Sequence, residues 1–126
     1  MKTLVNTEKA PKAIGPYSQG MIVNGFLYTS GQIAIDPITG NIVNGGIEEQ
    51  THRVFKNLEA ILSEAGCTFD NIIKTTVFIR NMGDFNKVNE IYGLYIKPVY
   101  PARSCIEVSN LPKNALIEIE AICEIK

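Results

Sequence analysis

The spacing of apolar positions changes period several times along the chain, and each change predicts a new element. Residues 19–33 (QGMIVNGFLYTSGQI) are rich in β-branched and aromatic side chains and are interrupted at Asn24-Gly25. Asn-Gly tolerates positive φ at both positions, as a two-residue type I′ turn requires. The pattern therefore predicts a β-hairpin here, and residues 36–41 (DPITGN) predict a second turn.

Two stretches show the period of an amphipathic helix, with apolar or small residues at steps of three and four. The first stripe comprises Ile47, Thr51, Val54, Phe55, Leu58, Ile61, Leu62 and Ala65. Its predicted end is Gly66, because glycine is favoured just after the last residue of a helix. The second stripe comprises Phe85, Val88, Tyr92, Tyr95 and Ile96. Asp84 is the predicted N-cap of this second helix, and Pro98 is expected to stop it.

Three further segments favour strands because β-branched residues dominate them: 71–80 (NIIKTTVFIR), 103–108 (RSCIEV) and 115–125 (ALIEIEAICEI). The predicted order is two strands, a helix, a strand, a helix and two strands, with residues 2–5 as a candidate for one more short strand. Two helices cannot cover both faces of a sheet this wide. We therefore expect an α+β fold with both helices on one face.

The face of the sheet that carries no helix is expected to be partly apolar. In the strand at 71–80, alternation places Ile73, Val77 and Ile79 on one side and Phe78 on the other. An apolar open face favours burial by self-association. An ordinary half-exposed face is the alternative, and the pattern alone does not decide between them.

Composition and charge narrow the classes of function. The 126 residues suit one domain, spanning 1–126. With 12 basic and 13 acidic side chains, a net charge of −1 and no basic stripe, neither nucleic acid nor an anionic membrane is an expected partner. The three cysteines lack Cys-x-x-Cys spacing, which argues against a disulfide framework and favours a reducing compartment. No apolar run approaches the roughly 18 residues of a membrane span, and the N-terminal residues lack the apolar core of a secretory signal, so we expect a cytoplasmic protein.

The common catalytic and cofactor motifs are missing. His52 is the only histidine, and it lies off the predicted apolar stripe, so we expect it on a solvated face. Metal-ligating residues do not cluster, and no glycine-rich loop of the phosphate-binding kind occurs. Metal, ATP-dependent and hydride-transfer chemistry are therefore poorly supported.

The candidate chemistry lies on the last two predicted strands. Alternation puts Arg103 and Cys105 on one face of the first of them, and Glu118 and Glu120 on one face of the second. If the two strands pair as an antiparallel hairpin, an arginine and a glutamate meet. They would then form a structural ion pair, or Arg103 would bind a ligand carboxylate through its planar fork while a glutamate of raised pKa moves protons. Residue types and spacing leave both interpretations open.

Other polar positions along the chain are further candidates. Tyr17 follows a Gly15-Pro16 turn and is expected to pack its ring and to hydrogen-bond through its hydroxyl. Ser30 precedes Gly31, and a glycine there allows a backbone N–H to approach another group closely. Asn89 lies beside the second apolar stripe. These residues define a candidate site without defining its substrate.

Several segments, in this order, resemble the Rid family of reactive intermediate deaminases, also called the YjgF family. The family hallmark is Pro-Ala-Arg-Ser, a strand, a Leu-Pro turn and Ile-Glu-Ile-Glu, and residues 101–122 read PARSCIEVSNLPKNALIEIEAI. The segments APKAIGPYSQG, TSGQIAIDPITG, TTVFI and DFNKVNEIY also match. The resemblance therefore spans nearly the whole chain.

The resemblance implies a chorismate-mutase-like fold, with a mixed sheet of about six strands and two helices on one face. It implies a homotrimer with a central barrel and with clefts between neighbouring subunits. The implied activity is hydrolysis of short 2-imino acids (2-iminopropanoate, 2-iminobutanoate) to 2-keto acids and ammonia, without a cofactor or a metal. These imines and their enamine tautomers are by-products of pyridoxal-phosphate enzymes. Rid relatives have also been linked to regulatory binding, chaperone-like holding and RNA cleavage, of which the net charge of −1 disfavours the last.

The family's site residues carry over to matching positions in this chain. The ligand-gripping arginine is Arg103, and the proton-handling glutamate is Glu118, the first glutamate of IEIE, rather than Glu120. The remaining cleft positions are Tyr17, Ser30, Gly31, Asn89 and Cys105. The position of Cys105 accepts several small residues in the family, so its thiol is expected to pack rather than to react.

Overall fold

A computed structural model describes residues 1–126 and contains one six-stranded sheet with two α-helices. The strands are β1 (Thr3–Val5), β2 (Gly20–Val23), β3 (Phe26–Thr29), β4 (Ile72–Ile79), β5 (Ala102–Glu107) and β6 (Ile117–Glu124). The helices are α1 (Ile47–Glu64) and α2 (Phe85–Tyr95), and short 3-10 turns occupy Phe69–Asn71, Met82–Asp84 and Pro112–Asn114. The predicted α+β class and order of elements are confirmed, including the short strand near the N-terminus. Neither α-helix has the length and apolar character that crossing a membrane requires.

The strand order of the sheet is β1-β2-β3-β6-β4-β5. The strand β6 runs antiparallel to both of its neighbours, whereas β4 and β5 are parallel. A parallel pair needs a crossover connection, and α2 supplies it between β4 and β5. The hairpin considered for the last two strands is therefore wrong, because β4 lies between β5 and β6.

The local turn and helix-end predictions are confirmed. Asn24 and Gly25 have φ of 52° and 81°, as a type I′ turn between β2 and β3 requires. Gly66 has φ of 77° just after the C-cap of α1, where a side chain would be strained. Asp84 does stand at the N-cap of α2, but its side chain makes no capping hydrogen bond.

The core lies between the sheet and the two helices. It joins the buried side of the sheet to the predicted α1 stripe, and its fully buried members include Leu27, Phe55, Leu58, Ile61, Leu62, Val77, Ile79, Ile117 and Ile119. The pattern missed two buried polar residues of α1. Asn57 Nδ2 donates to the carbonyls of Ile33 and Ile35, and Gln50 Oε1 accepts from the Leu116 N–H. These bonds fix the loop after β3 and the entry to β6.

The helix-free face of the sheet carries exposed apolar side chains, as expected. Tyr28 and Ile106 are 44% and 45% exposed. One assignment on β4 is wrong: a bulge between Ile72 and Lys74 shifts the alternation, so that Ile72 is buried and Ile73 is exposed. A bulge inserts an extra residue into one strand and so reverses the faces on one side of it.

Candidate active site

Arg103 lies on β5 with its side chain on the helix-covered side of the sheet, against α2. Its Nη1 donates to Asn89 Oδ1 at 2.8 Å. Its Cζ atom lies 4.9 Å from the centre of the Tyr92 ring and 5.5 Å from that of Phe85. The structure thus brings together two of the predicted site residues, Arg103 and Asn89, and adds two aromatic rings that the sequence assigned to the core.

No carboxylate of the chain pairs with Arg103. The single ion pair in the structure joins Lys87 to Glu48, at 2.9 Å. A structural ion pair within the chain is therefore excluded, and the guanidinium keeps its capacity to bind an anion. It faces an open pocket of about 460 Å³, lined by Asn89, Tyr92, Gly93, Tyr100, Pro101 and Arg103, which we call the arginine half-site.

Cys105 lies two residues further along β5, on the same side of the sheet, and is half-buried. Burial raises the pKa of its thiol, although the nearby charge of Arg103 acts in the opposite direction. A thiol of raised pKa carries little of the reactive thiolate at neutral pH. The environment therefore supports the expectation that Cys105 packs.

Glu118 lies on β6 with its side chain on the helix-free side of the sheet, where it is half-buried. Its pocket, of about 570 Å³, is lined by Pro11, Lys12, Ile14, Tyr17, Thr29, Ser30, Gly31, Gln32, Ile33, Ile35, Pro112, Glu118 and Glu120, and we call it the glutamate half-site. Burial raises the pKa of Glu118, and the charge of Glu120 raises it further. A carboxyl group of raised pKa in a pocket is suited to proton transfer near neutral pH.

Gly31 makes room for the Glu118 carboxylate. A Cβ atom added at residue 31 would lie 2.5 Å from Glu118 Oε2 and 2.6 Å from Cδ. The N–H of Gly31 has no backbone acceptor in the chain, so it is free to donate inside the half-site. The close approach expected at this glycine is therefore present, and the group it approaches is Glu118.

Tyr17 and Ser30 lie in the same half-site and are held by local hydrogen bonds. The Tyr17 hydroxyl accepts from the Ile14 N–H at 3.3 Å, and Ser30 Oγ donates to the Ser18 carbonyl at 2.5 Å. Tyr17 remains 47% exposed, so much of its ring is available to a ligand.

The buried residue Gln19 fixes the loop that carries Tyr17, and sequence analysis missed it. Its Nε2 donates to the carbonyls of Thr7 and Pro11, and its Oε1 accepts from the Thr7 N–H. Glutamine is mostly an exposed residue, so its type alone did not suggest a buried anchor. Its place directly after Pro-Tyr-Ser in the matching N-terminal motif was the available signal.

The two half-sites lie on opposite faces of the sheet. Across the strands, Arg103 is level with Thr75 of β4 and Ala121 of β6, whereas Glu118 is level with Phe78. Arg103 packs on α2, and Glu118 points away from the helices. No side-chain rotation can join the two groups within one chain, because the backbone of β4 and β6 separates them.

His52 is not on a solvated face, contrary to the expectation. It is half-buried, and its Nδ1 lies 2.6 Å from the hydroxyl of Tyr95, at the end of α2. The helix-wheel position of His52 could not reveal this contact, because it depends on how the two helices pack. No group of three histidine, cysteine, aspartate or glutamate side chains is placed to hold a metal ion.

Comparison with known proteins gives consistent matches over almost the full length. The family model described as endoribonuclease L-PSP matches residues 7–125. A Lactococcus lactis protein named as a candidate regulator, AldR, is 54% identical, with 98% of each chain covered. The human 2-iminobutanoate/2-iminopropanoate deaminase is 48% identical, covering 97% of this chain and 89% of the human one.

The fold has solved counterparts as well. The crystal structure of YyfA from Yersinia pestis, described as a protein of unknown function of the conserved Rid family, superposes with a TM-score of 0.97 at 52% identity. That match covers 99% of this chain and 100% of the other. The resemblance read from the motifs is thereby confirmed. The protein belongs to the Rid (YjgF) family, whose sequence model carries the description endoribonuclease L-PSP.

Proposed function

We propose that the protein is a hydrolytic deaminase that converts short 2-imino acids, such as 2-iminopropanoate and 2-iminobutanoate, to 2-keto acids and ammonia. The observation that carries the proposal is the Arg103 guanidinium, which lines a pocket and has no carboxylate partner. An arginine fork matches a planar carboxylate, which every 2-imino acid possesses. The 48% identity with the human deaminase supports the same activity.

The proposed active site lies between two copies of the chain, in a homotrimer. The arginine half-site of one copy meets the glutamate half-site of the next. Two observations support this arrangement: the half-sites lie on opposite faces of one sheet, and the helix-free face exposes apolar side chains such as Tyr28 and Ile106. Apolar faces of this kind favour association between copies.

In the proposed mechanism, Arg103 binds the substrate carboxylate bidentately and so fixes the imine carbon C2. A protonated imine is already electrophilic, so no covalent enzyme intermediate or cofactor is needed. Glu118 orients a water molecule and takes its proton as the water oxygen bonds to C2. Glu118 then returns that proton to the nitrogen of the tetrahedral adduct. As the C–N bond breaks and ammonia leaves, the hydroxyl group on C2 gives its proton to Glu118 and becomes the carbonyl of the 2-keto acid. The Gly31 N–H and the Tyr17 hydroxyl help to seat the ligand.

The activity is tested by generating imines from alanine and 2-aminobutanoate with an amino-acid oxidase and following keto-acid release. Wild-type protein should accelerate release above the uncatalysed rate, and Arg103→Ala should not. An Arg103→Ala protein that retains the wild-type rate would rule out the carboxylate clamp. The relative rates on imines of alanine, 2-aminobutanoate and leucine then define the preferred chain length.

Complementation tests the location of the site. Arg103→Ala and Glu118→Gln chains are each expected to be inactive alone. If the site lies between copies, mixed assemblies pair an intact arginine with an intact glutamate at about one interface in four, so about a quarter of the wild-type rate should return. If the site lay within one chain, the mixture would stay inactive.

A metabolite-binding regulator is the second candidate, because the relative from Lactococcus lactis is named as a candidate regulator. The arginine half-site would then capture a small carboxylic acid without turnover. Binding of pyruvate in the absence of any acceleration of imine hydrolysis would favour this candidate. Incubating the same protein with RNA tests the activity in the family description, which the net charge of −1 disfavours.

A further inference from the structure

One face of α2 is built around the Arg103 guanidinium, although the sequence pattern assigns most of that face to the core. Phe85, Asn89 and Tyr92 follow one another at steps of four and three residues, which places them on one side of the helix. All three contact Arg103: Asn89 by a hydrogen bond, and the two rings by stacking under the charge. Cations placed over aromatic faces at such distances are attracted by the ring.

The Tyr92 ring is held in place by a contact with the sheet. Tyr92 is 5% exposed, and its hydroxyl lies 2.8 Å from Oγ1 of Thr75, which is fully buried on β4. Thr75 is also the residue that stands level with Arg103 across the strand pair. The hydrogen bond therefore ties the ring to the strand next to the one that carries the arginine.

The hydrogen bond to Asn89 determines which nitrogens of the Arg103 guanidinium stay available for a ligand. It occupies Nη1 of Arg103, while Nε and Nη2 make no hydrogen bond within the chain. These two nitrogens form one edge of the guanidinium, and such an edge matches the two oxygens of a carboxylate. With the ring beneath the guanidinium and the amide on Nη1, this edge keeps its donors free in a residue that lines the arginine half-site.

We propose that Tyr92 is a positioning residue that acts through Arg103, holding the guanidinium in the plane in which it binds the carboxylate of 2-imino and 2-keto acids. This inference rests on the proposed function, because it assigns a carboxylate to Arg103. It concerns binding rather than the chemical step. Loss of the ring should therefore raise KM and the Kd for a keto acid more than it lowers kcat.

The test compares Tyr92→Phe, which keeps the ring, with Tyr92→Leu, which removes it. The Kd for pyruvate and the KM for 2-iminopropanoate should rise about ten-fold in Tyr92→Leu and stay within about three-fold of wild type in Tyr92→Phe. Val88→Ala is the matched control, since it shortens a buried side chain of α2 that does not line the arginine half-site. It should lower the melting temperature while leaving KM unchanged.

Each outcome decides the matter. Wild-type KM in Tyr92→Leu, or a Phe variant as impaired as the Leu variant, overturns the role of the ring. If Tyr92→Leu does not fold, Tyr92→Met places a longer, more adaptable side chain there without a flat ring and carries the same expectation. Wild-type protein that binds pyruvate through Arg103 but hydrolyses no imine would refute the proposed function while leaving this inference testable by Kd alone.

Discussion

The two half-sites differ in what holds their central group. In the arginine half-site, the central group is held by regular secondary structure. The strand β5 carries Arg103, and side chains of α2 contact its guanidinium. In the glutamate half-site, a strand carries Glu118, and loops supply the rest, including a glycine backbone and the segment anchored by Gln19.

The surroundings of Arg103 and Glu118 differ in charge and in burial, and under the proposed function this difference suits the two residues to different tasks. Arg103 keeps a charge that no carboxylate in the chain neutralises, which suits it to binding an acid. Glu118 is partly desolvated and has a raised pKa, which suits it to carrying a proton. Substitutions in the arginine half-site should therefore weaken ligand binding, and substitutions in the glutamate half-site should lower turnover.

Replacing Arg103 should have the largest effect. Arg103→Ala should lower kcat/KM for 2-iminopropanoate by about 10³-fold and abolish pyruvate binding, because the charged contact to the ligand carboxylate is lost. Arg103→Lys should also fail badly, because a point charge cannot reproduce the fork. Circular dichroism should show an intact fold, since Arg103 makes no ion pair. Tight pyruvate binding in either variant would contradict the assignment.

Replacing Glu118 should separate binding from turnover. Glu118→Gln should lower kcat by about 10²- to 10³-fold while the Kd for pyruvate changes only a few-fold. Glu120→Gln is the matched control, because Glu120 lines the same half-site but is more exposed. If Glu120→Gln proves the more damaging change, the proton-handling residue has been assigned to the wrong glutamate.

A methyl group at Gly31 should have an intermediate effect. Gly31→Ala pushes on the end of the Glu118 side chain, which can move, so the fold should survive while kcat falls about ten-fold. Gly46→Ala is the control, since an added Cβ there meets nothing within 4 Å. Unchanged kcat in Gly31→Ala would show that the position of the Glu118 carboxylate is not critical.

A smaller effect than that of Gly31→Ala is expected from Glu120→Gln, on the pH dependence of turnover. Glu118 must be ionised to accept a proton from water, so kcat should fall on acidification at a pH above the ordinary pKa of a glutamate. Because the charge of Glu120 helps to raise the pKa of Glu118, Glu120→Gln should move this acid limb to lower pH. An acid limb that does not move, measured as kcat against pH, would show that the two carboxylates are not coupled.

The smallest expected effect is on stability. The pKa of Glu118 is raised in the folded state, so its contribution to stability is fully present below the unfolded-state pKa and is lost as pH rises through the folded-state pKa. Glu118→Gln cannot ionise and should lose less stability than wild type over that range. Melting temperatures at pH 4 and pH 8 check this. If the melting temperature changed equally in the wild type and in Glu118→Gln between these pH values, the expected loss of stability on ionisation of Glu118 would be contradicted.

Local features were predictable from the sequence, and long-range contacts were not. The Asn24-Gly25 turn, the α1 stripe and the end of that helix depend on neighbouring residues, so their signals lie in short stretches. The insertion of β6 between β3 and β4 depends on strands far apart in the chain. Ile73 was predicted on the wrong face of β4 because a bulge shifts the register there, and the alternation of residues does not reveal a bulge.

The same limit applies to the site. Residue types and spacing singled out Arg103 and the glutamates of β6, and the family resemblance selected Glu118 among them. That Arg103 and Glu118 lie on opposite faces follows from the sheet order, which no local pattern encodes. The support for Arg103 was also hidden, because Phe85 and Tyr92 look like ordinary core residues at helical spacing.

Placing the guanidinium and the carboxylic acid on opposite faces has a consequence for a newly made chain. Backbone and packed side chains lie between the two groups, so they cannot neutralise one another within the chain. The fold itself therefore keeps the two groups apart, and within one chain they cannot form an ion pair.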